Sequence, residues 1–198
     1  MKDTQERGTG PDGVVRVVVS YAWGKDQTPR SDPRWTYIRD VVRQCCDEAR
    51  KRALKLDTNF LGAFTVVRLR ATHGEQVLPE MIKRISGADV YLADIAGANG
   101  GTANPNVMME VGVALHAFSQ DRRRTFLLKP EDVDPPSNLS GLIWTNYTAR
   151  KSGIALADHP GFRAAMVSSL IGRAIDRGLL VSPQTFIDDG LDDDGGNL

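Results

Sequence analysis

The chain has 198 residues, a length suited to one domain with a sizeable core. Its 25 Lys and Arg balance 25 Asp and Glu, so no global field favours nucleic acid or an anionic membrane as partner. No apolar run approaches the length of a membrane span, no secretory pattern opens the sequence, and the adjacent Cys45 and Cys46 suit neither a mutual disulfide nor a C-x-x-C metal site. A soluble, cytoplasmic protein with no metal and no resident cofactor is expected.

Residues 1–13 are polar and are expected to form a flexible arm. Val14 to Ser20 is a β-branched run, the pattern of a buried first strand. From Trp35 to Leu54, apolar residues recur at 35, 38, 42, 45, 49 and 53, which is helical spacing. Phe64 to Leu69 reads as a second strand, Val77 to Ile85 as a short helix, and Val90 to Ile95 as a third strand. A helix is predicted over Asn106–Ser119, a fourth strand over Thr125–Leu128, and a fifth over Leu142–Asn146 after a Pro/Asp-rich connection. Phe162 to Arg177 forms the last predicted helix, and residues 182–198, with five aspartates, are expected to be a disordered tail. Strands alternating with helices predict an α/β domain over residues 14–181, its five parallel strands in the flavodoxin-like order 2-1-3-4-5.

The residues that invite chemistry cluster around the predicted third strand and the helix after it. Asp89 to Ile95 is an apolar run that carries Asp94 near its end, and a glycine-rich loop at 97–101 separates it from Asn104, Pro105 and Asn106. Asn104 suits a helix N-cap and Pro105 the first helical position. Val107, Val111, Ala114, Leu115 and Phe118 form the core stripe of that helix, and Gly112 offers a close approach to another backbone. Glu110 lies beside the stripe, four residues after Asn106, and reads either as a site carboxylate or as a complement to the helix dipole. Asp94 reads as a ligand contact or as a cap on the following loop. Ser20, Tyr21 and Trp23, at the end of the first strand, can hold an aromatic base and a ribose, or the two aromatics can simply cover the sheet.

Other chemistries lack support. The glycine loop is followed by no Gly-Lys-Ser/Thr and no G-x-G-x-x-G appears, so neither a P-loop nor a dinucleotide fingerprint is present. Ser20 has no nucleophile-elbow context. His73 lies in a predicted loop, where a lone histidine is ordinarily solvated.

Ala88-Asp-Val-Tyr-Leu-Ala-Asp-Ile95, followed by Asn104-Pro-Asn-Val-Met-Met-Glu-Val-Gly-Val-Ala114, resembles the "ADIT…NPNVxYELGxA" pattern of bacterial TIR-like domains that accompany antiphage systems. The first strand with Ser20-Tyr21-Ala22 is similar to the "FISYA" start, and Pro136 to Tyr147 to the "PFDL…Y" segment. Nucleoside 2-deoxyribosyltransferases share a related acid-bearing helix. The chain departs from the pattern at Met109, where Tyr is usual, at Ser137-Asn138, where Phe-Asp is common, and in its long glycine-rich loop.

The resemblance implies cleavage of the N-glycosidic bond of NAD as substrate, with Glu110 matching the catalytic glutamate. The flavodoxin-like strand order sets the expected pocket between the ends of strands one and three, with Ser20, Tyr21, Trp23, Asp94, Asn104 and Asn106 as substrate-binding residues, Ser20, Tyr21, Trp23 and Asp94 facing Glu110 and Asn106 fixing its orientation. The resemblance also implies activation by self-association or by a partner protein, with 23–34 and 129–140 as expected contact surfaces. A nucleoside or nucleotide deoxyribosyltransferase or hydrolase, and a non-catalytic nucleotide-binding scaffold, remain open alternatives.

Overall fold

The computed structural model describes residues 13–22, 33–69, 77–96, 102–135, 137–139, 142, 144–147, 149–150, 153–154 and 160–181. Residues 1–12 of the predicted arm (1–13), the tail (182–198) and the glycine loop (97–101), with Trp23 and His73, lie outside the described residues.

Five parallel strands form the sheet: β1 (Val14–Tyr21), β2 (Ala63–Arg68), β3 (Val90–Asp94), β4 (Thr125–Pro130) and β5 (Thr145–Tyr147). Their spatial order is β2-β1-β3-β4-β5, the flavodoxin-like arrangement. A short antiparallel ribbon, β6 (Ala149–Arg150) with β7 (Gly153–Ile154), follows. The helices are α1 (Pro33–Leu56), α2 (Val77–Ser86), α3 (Pro105–Ala117) and α4 (Pro160–Asp176). Among the described residues, no helix is long and apolar enough to cross a membrane.

Two cores fill the space between these three layers. On one face Val15, Val17, Val19 and Tyr21 of β1 meet α1 and α4; on the other, Val18 and Ala22 meet α2 and α3. This is the period-2 alternation of a strand buried on both sides. The helical spacing read in α1 holds: Ile38, Val42, Cys45, Ala49 and Ala53 are all fully buried against the first face.

Element boundaries shift where proline decides them. Three helices open on proline (Pro33, Pro105 and Pro160), earlier than apolar periodicity placed α1 and α4. A proline at the first helical position forfeits no hydrogen bond, because that N–H has no partner within the helix. The fifth strand is shorter and later than the predicted Leu142–Asn146. A 3-10 turn at Ser137–Leu139 draws Leu142 N–H and Trp144 Nε1 onto the Leu139 carbonyl, and strand pairing begins only at Thr145.

At the N-terminal end of the sheet, Asp89 gathers the Arg16 N–H at 2.8 Å and the Arg177 guanidinium at 2.9 Å. Arg177 also donates to the Val14 carbonyl. These bonds tie β1, β3 and the end of α4 together, leaving the opposite end of the sheet for a site.

Candidate functional site

The strand order reverses at β1 and β3, and ligands of open α/β sheets bind at the C-terminal ends of strands beside such a reversal. Tyr21 and Asp94 close these two strands in register, and Ser20 pairs with Ala93. Helix α3 begins just beyond. Asn104 caps it, its Oδ1 accepting from the backbone N–H groups of Asn106 at 3.0 Å and Val107 at 3.1 Å. The Asn104 N–H in turn reaches the Ile95 carbonyl at 2.7 Å, which anchors the helix start to the end of β3. Val107, Val111, Ala114 and Phe118 are buried in the second core.

That anchoring sets Glu110. It is the sixth residue of α3, beyond the first turn where a helix dipole acts, and it is half-buried. Burial pushes its carboxyl above the ordinary value of 4.5, and the Ser20 hydroxyl pulls the other way. Its place past the first turn puts it beyond the strongest reach of the helix dipole.

Ser20 is 2% exposed and points to the α2–α3 side of the sheet, as does Tyr91 of β3. The Ser20 Oγ and Tyr91 Oη are both buried without a closed hydrogen bond. They are nonetheless within each other's influence: Ser20 acts on the Tyr91 phenol as well as on Glu110, and the Glu110 charge adds to the burial that holds the phenol neutral. Hydrogen bonds in ligand-free active sites are commonly long and tighten when substrate binds.

The expected site residues divide between the two faces of the sheet. Ser20 comes to Glu110. Tyr21 and Asp94 do not, because adjacent strand residues point to opposite sides and these two lie on the α1–α4 face. Tyr21 stacks on Trp35, with ring centroids 5.9 Å apart, and the Arg68 guanidinium lies 4.8 Å over its ring. Asp94 is fully buried and held by three groups. Arg34 Nε lies 2.8 Å from Oδ2, Tyr147 Oη lies 2.9 Å from both oxygens, and the Ala96 N–H reaches Oδ1 at 3.2 Å. The Ala96 bond is the loop-capping role read as one alternative. Burial raises the Asp94 carboxyl, while Arg34, Tyr147 and the Ala96 N–H pull it down. Burial lowers Arg34, but Asp94 and Tyr147 more than offset that and hold it above its ordinary value.

Asn106 is exposed and, among the described contacts, makes no side-chain hydrogen bond to Glu110. Gly112 meets no other backbone, since a Cβ built there finds open space. It lines a shallow apolar concavity between α2 and α3, with Ile82, Met109, Val113 and His116, whose lining does not include Glu110. Burial pushes Cys45 up to about 11 and Cys46 up to about 12, so both remain protonated thiols in the core. Among the described residues, no group of three or more His, Cys, Asp and Glu side chains is placed to hold a metal.

Two residues escaped the sequence reading. Tyr91 was counted in an apolar strand; its signal was a phenol in a run buried on both faces, where a hydroxyl needs a partner. Arg34 ends the expected contact surface 23–34 but lies in the first turn of α1. No protein-family model matches the chain, and a search of curated proteins finds no match either.

Proposed function

We propose that the chain is a TIR-like NAD glycohydrolase that cleaves the bond between nicotinamide and ribose. The observation that carries this reading is Glu110: a half-buried carboxylate beside the sheet's topological switch, raised by burial and answered by the Ser20 hydroxyl. Nicotinamide in NAD is already cationic, so it leaves as a neutral base without being protonated. Positive charge then develops on the ribose as an oxocarbenium ion. A preorganised carboxylate next to that carbon favours the transition state over the ground state. Water completes the reaction, giving ADP-ribose, nicotinamide and a proton; attack by the substrate's own adenine would give a cyclic product instead.

A deoxyribosyltransferase or nucleoside hydrolase, with Glu110 as nucleophile, is the competing enzymatic reading. Such enzymes act on neutral bases and generally need a second group to protonate the leaving base. Asp94, the other acid expected at the site, has its oxygens engaged by Arg34, Tyr147 and Ala96 on the other face. This favours NAD. Tyr21 and Asp94 then contribute by shaping the end of the sheet, while Ser20, Asn106 and Trp23 remain substrate contacts in the proposal.

In this reading the protein is a cytoplasmic effector or signal producer of bacterial antiphage defence, switched on by self-association or by a partner protein. Incubating purified protein with NAD, and separately with a panel of nucleosides, followed by chromatography of the products, tests the assignment. Release of nicotinamide supports it. Base release from nucleosides, with NAD left intact, would replace it with the transferase or hydrolase reading, and turnover of neither would leave a binding module.

A further inference from the structure

Tyr91 is fully buried in the middle of the sheet, yet its phenol oxygen has no closed hydrogen bond. A hydroxyl left unsatisfied there costs stability that phenylalanine would avoid at nearly the same volume. Its position says what it serves. Tyr91 pairs with Val18 in the β1–β3 register, and Ser20 lies two residues further along β1 on the same face. With neighbouring strands about 4.8 Å apart and two residues spanning about 6.6 Å, such diagonal neighbours are about 8 Å apart at the backbone, within reach of an aromatic side chain. The Ser20 hydroxyl is also the group that bears on both the Tyr91 phenol and the Glu110 carboxyl. It has one proton to give and lone pairs to accept with.

We infer that Tyr91 is a positioning residue for Glu110: its phenol donates to Ser20 Oγ, which commits the Ser20 proton to the Glu110 carboxylate. The direction of the chain follows from chemistry. A carboxylate can only accept, so Ser20 must donate to it, and the remaining lone pairs of Ser20 then face Tyr91. Burial and the nearby Glu110 charge both disfavour a phenolate, so Tyr91 keeps its proton and remains a donor. Such chains polarise one another and strengthen each bond in turn. The titratable groups of α2, the helix packed against α3, are Glu80, Lys83 and Arg84, and α3 itself also carries His116. Glu80 and Arg84 are paired with each other at 2.7 Å. Among the described residues, Ser20 is the side chain that opposes burial at the Glu110 carboxyl.

The inference rests on Glu110 as the acting carboxylate, and its test needs no turnover. Protein labelled with ¹³C at the glutamate carboxyl carbons is titrated by NMR, with the Glu110 resonance assigned through Glu110→Gln. Tyr91→Phe is expected to raise the Glu110 midpoint by about 0.3–1 pH unit, the scale of one modest hydrogen bond. Ser20→Ala should raise it further. The double variant should match Ser20→Ala alone, because Tyr91 acts through Ser20. An unchanged midpoint in Tyr91→Phe, or a Tyr91→Phe shift that persists in the Ser20→Ala background, overturns the relay. Should Tyr91→Phe fail to fold, ¹³C at the Tyr91 ring carbon bearing the hydroxyl reports instead. Its shift should follow Glu110 ionisation in the unaltered protein and lose that dependence in Ser20→Ala; no dependence in the unaltered protein overturns the relay. A protein that shows this coupling but leaves NAD intact would refute the proposed activity and keep the relay.

Discussion

Tyr147 shares its single phenolic proton between the two oxygens of Asp94, with Oη 2.9 Å from each. Arg34 closes the triangle from the start of α1, 2.8 Å from Asp94 Oδ2 and 2.9 Å from Tyr147 Oη. Three elements distant in sequence (α1, β3 and β5) are thus locked at the end of the sheet where β3 turns toward α3. Asp94→Ala is expected to destabilise the fold by about 3–5 kcal/mol, since it strands Arg34 beside a buried site. Tyr147→Phe should cost less, about 1–3 kcal/mol, because Arg34 and Ala96 still hold the carboxylate. Denaturant melts of the two variants give the order, and equal losses would contradict it.

Glu110→Gln should lower NAD cleavage by about 10²–10³, the scale of one preorganised electrostatic group. The same change should raise the melting temperature at neutral pH. The folded carboxyl binds its proton more tightly than the unfolded one, so folding takes up protons between 4.5 and the raised folded value. Stability falls as pH rises through that window, and above it the buried charge costs stability that glutamine does not. The stabilisation should vanish below 4.5, where both forms of Glu110 are protonated. A well-folded Glu110→Gln protein with near-normal turnover would refute the catalytic assignment.

The acid limb of kcat/KM should lie above 4.5, because the reaction uses the ionised carboxylate and burial raises its pKa. Activity is then lost as pH falls through the raised value. Ser20→Ala should move the limb upward, since it removes the group that opposes burial. Rate profiles of both proteins decide this, and a limb that moves down would exclude Ser20 as a partner of Glu110.

Asn104→Ala should cost about 0.5–2 kcal/mol, because its side chain satisfies two N–H groups at the start of α3. Asn104→Asp should retain most of that stability. If Asn104 serves only as a cap, activity measured well below the melting temperature should follow the Asp variant closely. A large loss of activity in stable Asn104→Asp would assign the residue to substrate as well.

Self-association is expected to raise specific activity. TIR-like domains commonly complete their sites against neighbours, and head-to-tail contacts of one surface on another build open filaments. Specific NAD cleavage should climb with protein concentration, in step with the mass seen by light scattering. High and constant activity in a species that stays monomeric would remove this part of the proposal.

Much of this architecture was legible in the amino-acid sequence because it rests on local rules. Alternating strand and helix patterns sufficed for the sheet order 2-1-3-4-5. Asn104 before Pro105 marked a capped helix start, and the apolar positions of α1 and α3 marked their buried stripes. Alternation along β1 already required Ser20 and Tyr21 to part company, although both were expected at Glu110. Only the tertiary structure decided which of them meets it, because that depends on which face of the sheet α3 crosses. The same step sent Asp94 to the α1–α4 side and brought Arg34 and Tyr147, 113 residues apart in the chain, to its carboxylate. It also turned Tyr91 from an apolar-strand residue into a neighbour of Ser20. Periodicity names the face within one element; how the faces of different elements meet is set by long-range packing.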